Sequence, residues 1–86
     1  MALYLIDKPF GANGLHLAEL DPDAKIVLLQ DGVYLKTDAI VGKPIYAIKP
    51  DVEKRGLSCR LPKSIRLIDY PEFVDLIIAD KVYNFT

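Results

Sequence analysis

The stretch Lys25-Ile26-Val27-Leu28-Leu29-Gln30-Asp31-Gly32 decides the fold. Four consecutive aliphatic residues leave no polar face, so a strand built from them must be covered on both sides, as happens to a central strand of a parallel sheet. Gln30-Asp31-Gly32 then ends the run with residues that turn the chain out of a sheet. Three further apolar runs flank this one: Ala2 to Ile6 before it, and Pro44 to Ile48 and Ser64 to Ile68 after it. Each is followed by turn or helix-start chemistry and not by a two-residue hairpin signal, so the rhythm is strand, then helix, repeated. Pro44 is tolerable because it stands at the first position of its strand, and Arg66 marks the last run as an edge or a strand with one wetter face.

The segments between the runs read as short helices. The clearest follows Asp69, which stands at capping-box spacing from Glu72. Pro71 falls in the first turn, and Phe73, Val74, Leu76, Ile77 and Ile78 form a wide apolar stripe. Asp51 to Gly56 places acids first, bases last and a glycine at the end, which suits one or two helical turns. Gly14 to Leu20 reads as a weak helix closed by Asp21-Pro22-Asp23. Val33 to Ile40 has poor helix propensity, but its place after Gly32 suits a crossover. Lys81 to Phe85 can add a tail strand. The expected architecture is a single domain over residues 1–86: an α/β, doubly wound, flavodoxin-like parallel sheet of four or five strands flanked by helices. The polar residues just past the strand ends, Asp7-Lys8, Gln30-Asp31, Lys49 to Asp51 and Asp69-Tyr70, then gather on one rim, where open α/β sheets bind ligands.

Composition narrows the function. With 86 residues and 51% apolar content, the chain carries more apolar surface than one small core can hide, leaving some to meet another subunit. A formal net charge of -1 gives no global field toward nucleic acid or an anionic membrane, so direct nucleic-acid binding is not expected. Met1 to Ile6 is too short for a signal peptide core or a membrane span, and a cytoplasmic protein is expected. Cys59 is the only cysteine and His16 the only histidine, so one chain cannot close a soft-ligand zinc site, and neither metal nor cofactor is expected.

The block Leu28-Leu29-Gln30-Asp31-Gly32-Val33 resembles the signature of the TusB/DsrH family. The resemblance continues through Ile45-Tyr46-Ala47-Ile48, Asp51, Arg55-Gly56-Leu57, Ile68-Asp69-Tyr70, Phe73-Val74 and Leu76. It implies a DsrE/DsrF/DsrH-like fold whose small subunits form homo- or hetero-oligomers. In that family a cysteine persulfide hands sulfur between carrier proteins, toward 2-thiouridine at the tRNA wobble position or within intracellular sulfur oxidation. The implied partners are DsrE/TusD-like and DsrF/TusC-like subunits, or a copy of the chain itself, together with a sulfur carrier protein. In the sister subunits the reactive cysteine precedes the helix after the third strand, where this chain has Pro50-Asp51. Some DsrH members carry one after the first strand, but Asp7 to Leu20 has none. The resemblance therefore implies a mainly structural, accessory subunit of a sulfurtransferase complex.

Among individual residues, Cys59 is the one candidate for catalysis. Arg55, Arg60 and Lys63 lie near it in sequence and could lower its pKa for use as a self-sufficient homo-oligomeric sulfurtransferase; the favoured reading is an inert small apolar residue, because basic neighbours in sequence need not be neighbours in space. Gln30, Asp31, Gly32, Asp51, Arg55, Asp69 and Tyr70 are candidates for the rim or an interface. Each also has a structural reading, Asp31 and Asp69 as helix caps and Gly32 as a tight turn. Tyr34, Tyr46, Tyr70 and Tyr83 could serve an aromatic interface. A third possibility is a homo-oligomer holding a small anion at the strand-end rim.

Overall fold

A computed structural model describes residues 2–7, 10–35, 40, 42–56, 61 and 64–86. In chain order these form strand β1 (Ala2–Ile6), helix α1 (Gly11–Leu20), strand β2 (Ala24–Leu28), a 3-10 turn (Gln30–Tyr34), strand β3 (Ile45–Ile48) and helix α2 (Lys49–Lys54). Strand β4 (Ile65–Ile68), helix α3 (Tyr70–Ala79) and strand β5 (Lys81–Phe85) follow. All strand pairings are parallel and the order across the sheet is β4-β3-β2-β1-β5. The aliphatic run thus lies at the centre, with Ile26, Val27 and Leu28 wholly buried. Arg66 lies on an edge strand and is exposed. The tail segment is the fifth strand, added beyond β1, so the winding reverses between β1 and β5.

Strand alternation divides the apolar residues between two faces. On the first, Ala2, Tyr4, Ile6, Ala24, Ile26, Leu28, Ile45 and Ala47 pack with Leu15 and Ala18 of α1, Val33 of the 3-10 turn and Val52 of α2. On the second, Leu3, Val27, Ile48 and Ile68 pack with the partly buried Phe73 and Leu76 of α3 and with Leu5, Leu29, Tyr46 and Val82. Each wholly buried Leu, Ile or Val contributes about 1.5–3 kcal/mol, so the doubly covered strands anchor the domain.

Helix α1 begins before the expected Gly14 because its glycines let it lie close to the sheet: a Cβ at Gly14 would stand 2.6 Å from both Ile6 Cδ1 and Phe85 Cγ. At its far end the buried Tyr4 hydroxyl donates to Asp21 Oδ2 at 3.0 Å, and the Tyr4 ring stacks on Tyr83 of β5. Helix α3 is capped as its sequence predicts, Asp69 Oδ1 accepting from the Glu72 N–H at 3.0 Å. Only this half of the expected capping box forms with the Glu72 side chain committed elsewhere, since that carboxylate pairs with Arg66 at 3.0 Å. The helix ends at Asp80, whose Oδ2 lies 3.1 Å from Lys25 Nζ at the start of β2. This buried oxygen has ion-pair distance to the ammonium without hydrogen-bond geometry. Between β2 and β3, the segment expected as a crossover from Val33 holds a 3-10 turn that starts at Gln30, and positions 36–39 lie outside the described residues.

Burial, first, and then the bond to Asp21 push the Tyr4 hydroxyl up to about 12 from its ordinary 10.0. The folded chain holds this proton more tightly than the unfolded one, so its contribution is complete below pH 10 and is lost as pH rises from there toward 12. Urea denaturation between pH 9 and 12 is expected to show stability falling through this window. Tyr4→Phe is expected to flatten the fall, and a parent and variant of identical slope would contradict the assignment.

Candidate functional site

The first three strands deliver their polar ends to one place. Leaving β2, the chain turns sharply: Leu29 N–H donates to the Ile6 carbonyl at 2.9 Å, and Gly32 N–H is shared between Leu29 O at 2.7 Å and Asp7 Oδ1 at 3.1 Å. Gly32 sits so close to the end of β1 that a Cβ would run into the Ile6 carbonyl oxygen. This close approach, not a left-handed backbone, is why glycine is required. The left-handed residue is Gln30, at φ 47°. For a residue with a Cβ that conformation costs about 1–2 kcal/mol. It is held there because its N–H donates to Asp51 Oδ2 on α2 at 2.9 Å.

Arg55 closes the network. Its Nε donates to Asp31 Oδ1 at 3.1 Å and its Nη1 to the backbone carbonyl of Asp51 at 3.1 Å, with Asp51 Oδ1 4.0 Å away. Asp31 is therefore not the helix cap expected of it. The cap position belongs to Leu29, and Asp31, inside the turn, points its carboxylate at Arg55. The Asp31 side chain is 60% exposed, so its pair with Arg55 adds at most about 1 kcal/mol. The network matters as geometry: it fixes the turn after β2 to helix α2.

Of the sequence-predicted residues, Gln30, Asp31, Gly32, Asp51 and Arg55 are thus brought together, with Asp7 joining them. Asp69 and Tyr70 stand at the end of the edge strand β4. Asp69 serves as the cap of α3, and the exposed Tyr70 opens that helix. Cys59, with Arg60 and Lys63, lies outside the described residues. His16 is exposed on α1. Among the described residues no group of three or more His, Cys, Asp or Glu is disposed to hold a metal ion, and no helix among them is long and apolar enough to cross a membrane.

The second notable surface is on α3, whose wide apolar stripe already suggests a helix that packs on the sheet and on a neighbour as well. None of the residues of α3 is buried, and its outer side shows Tyr70, Val74, Ile77 and Ile78, the last 78% exposed. Beside the helix a groove of about 320 Å³ opens over β3 and β4. Tyr46, Ile68, Leu76 and Ala79 contribute its apolar lining, and Arg66, Glu72 and Asp75 its charges. The signal was present in the stripe from Phe73 to Ile78, which is wider than one buried helix face requires.

The described residues form a small parallel α/β fold wound in both directions, with a polar rim at its strand ends and one sheet face only partly covered. The family model of the DsrH like protein matches residues 12–82, and the chain belongs to this family. It is 36% identical over 61 residues to Protein TusB of Photorhabdus laumondii, a match that covers 62% of this chain and 64% of that protein. Against Protein TusB of Pectobacterium atrosepticum it is 38% identical over 73 residues, covering 72% and 74%, and against that of Pectobacterium carotovorum 40% over 70 residues, with the same coverage. Among solved structures, the ychN protein from E. coli superposes with a TM-score of 0.79 over 98% of this chain and 97% of its own, at 20% identity. The parallel α/β fold expected from the sequence is therefore that of a known structure.

Two substitutions test the rim. Gly32→Ala is expected to cost on the order of 2 kcal/mol or more in equilibrium unfolding, because backbone must move to admit the methyl group. Gln30→Gly is expected to raise stability by roughly 0.5 kcal/mol, relief of the left-handed strain being partly offset by glycine's unfolded-state entropy. A loss at Gln30→Gly would show instead that the glutamine side chain itself stabilises the fold.

Proposed function

We propose that this chain is an accessory subunit of a cytoplasmic sulfur-relay complex, in which persulfide sulfur passes between carrier proteins and this subunit supplies surface more than chemistry. The supporting observation is the partly covered second sheet face, with helix α3 exposing four large apolar side chains, in a member of the DsrH-like family. An apolar stripe of that size on a small domain marks an association surface. The partners are DsrE/TusD-like and DsrF/TusC-like chains that bring the reactive cysteine, and the process served is thiolation of tRNA wobble uridine or intracellular sulfur oxidation. Pro50-Asp51 stand where the sister subunits carry their cysteine, and Asp51 is engaged in holding the backbone of Gln30, a structural task. The rim network gives the complex a rigid edge, for the three strand ends it joins cannot move independently.

Co-expression with DsrE- and DsrF-like chains followed by size-exclusion chromatography is expected to give one co-eluting assembly. Within it Cys59→Ser is expected to leave sulfur transfer to the carrier protein unchanged. A chain that never co-elutes contradicts the subunit reading, and loss of transfer in Cys59→Ser would move the chemistry onto this chain.

A further inference from the structure

The sheet reverses its winding between β1 and β5, and a cavity opens where it does. At such a point the segments that follow neighbouring strands part, leaving a crevice beyond the carboxyl ends of the strands. The ends of β1 and β5 are joined by the Asp7 N–H, which donates to the Phe85 carbonyl at 3.1 Å. Beside them lies a cavity of about 390 Å³, lined by Phe10 and Asn13 at the start of α1 and by Asn84, Phe85 and Thr86 at the end of β5. That volume is within the range of small-molecule sites.

One wall is held in place: the Phe85 ring stacks on Tyr4 with 6.0 Å between centroids and 6° between planes, and it fills the space that a side chain at Gly14 would need. The other apolar wall is Phe10, a large ring 56% exposed. The polar lining is carboxamide and hydroxyl. Asn84 Oδ1 already accepts from the Thr86 N–H at 3.2 Å and from Thr86 Oγ1 at 2.5 Å, which leaves the Nδ2 donors of Asn84 for a ligand. The exposed Asn13 carboxamide adds two donors and an acceptor. Among the described residues no charged side chain lines the cavity. A hydrocarbon would leave these donors unanswered, and an ionised group would give up water with no counter-charge in return. A neutral planar ring with carbonyl oxygens on its edge suits both parts, stacking on phenyl and accepting from amide.

We infer that the crevice between α1 and β5 binds a single nucleobase bearing ring carbonyl oxygens, held by Phe10, Asn13 and Asn84. The base comes from a free nucleotide or from an unpaired position of RNA, which share this chemistry. A net charge of -1 does not oppose it, since a site that reads a base by stacking needs no field for the phosphate backbone. The inference stands apart from the subunit reading, because the cavity and the α3 groove have no lining residue in common.

NMR titration of the purified full chain tests it, with uridine 5′-monophosphate, adenosine 5′-monophosphate, ribose 5-phosphate and an RNA hairpin with a uridine loop as ligands. The uridine nucleotide is expected to bind with a dissociation constant on the order of 1 mM or tighter, shifting amides in residues 10–13 and 84–86. Raising the salt is expected to weaken it by less than about twofold, because no cation lines the cavity. The adenine nucleotide, without a ring carbonyl, is expected to bind at least about fivefold more weakly, and ribose 5-phosphate not to bind. Phe10→Ala is expected to weaken uridine nucleotide binding roughly tenfold or more, and Asn13→Ala about threefold. Both positions are exposed, so the fold is expected to survive, as unchanged shifts across β1 to β3 will show. A hairpin that binds at least about tenfold more tightly than the nucleotide, with the same loss in Phe10→Ala, assigns the base to RNA; a smaller gain, or none, assigns it to a free nucleotide. No binding of either uridine ligand, equal binding of the adenine nucleotide or of ribose 5-phosphate, or an affinity that Phe10→Ala leaves unchanged overturns the inference and leaves the subunit reading in place.

Discussion

A parallel sheet has to be covered on both faces, and the unequal way this chain meets that demand shapes everything else about it. Among the described residues two helices and a 3-10 turn serve the first face, and α3 alone serves the second. The first face is closed by small side chains and close approach: Gly14 brings α1 onto Ile6 and Phe85, and Gly32 brings the turn onto the end of β1. The second face has a single crossing helix with no buried residue, tied down by Phe73, Leu76 and the Lys25–Asp80 ion pair. Buried ion pairs add little net stability because desolvation offsets their attraction, so that pair fixes where α3 ends more than it fastens the helix down.

The rim follows from the same architecture. Parallel strands end on the same side, so Asp7, Gln30 and the start of α2 converge without any long-range signal beyond the strand order. The cost of holding Gln30 left-handed is comparable with the gain from the exposed pairs around it. The network is therefore close to neutral in stability, and its yield is a turn of fixed shape. A fixed turn at the C-terminal edge of a sheet suits a subunit that must present the same outline to its neighbours in every copy of an assembly.

Much of this was legible in the sequence, for identifiable reasons. The aliphatic run at Ile26 to Leu29 has no amphipathic alternative to a buried central strand, and Asp69 stands at the one spacing that caps α3. Gln30, Asp31, Gly32, Asp51 and Arg55, which the sequence offers with Asp69 and Tyr70 as candidates for the rim or an interface, lie together because topology delivers them there. Partner choice within the rim was not legible: Asp31 looked like a cap, yet its place inside a 3-10 turn turns it toward Arg55. Nor could spacing show that Glu72 would desert the capping box for Arg66, since that contact depends on the edge position of β4. The groove needed the path of α3 across the sheet, which no local pattern encodes.

The central claim is that the second face is finished by another chain. Amide hydrogen exchange measures it directly, because protection follows the free energy of local opening. In the chain alone, the amides of α3 are expected to exchange far faster than those of β1 and β2, and to slow markedly when the DsrE- and DsrF-like subunits are added. Protection of α3 equal to that of the central strands in the isolated chain, unchanged by partners, would contradict the account.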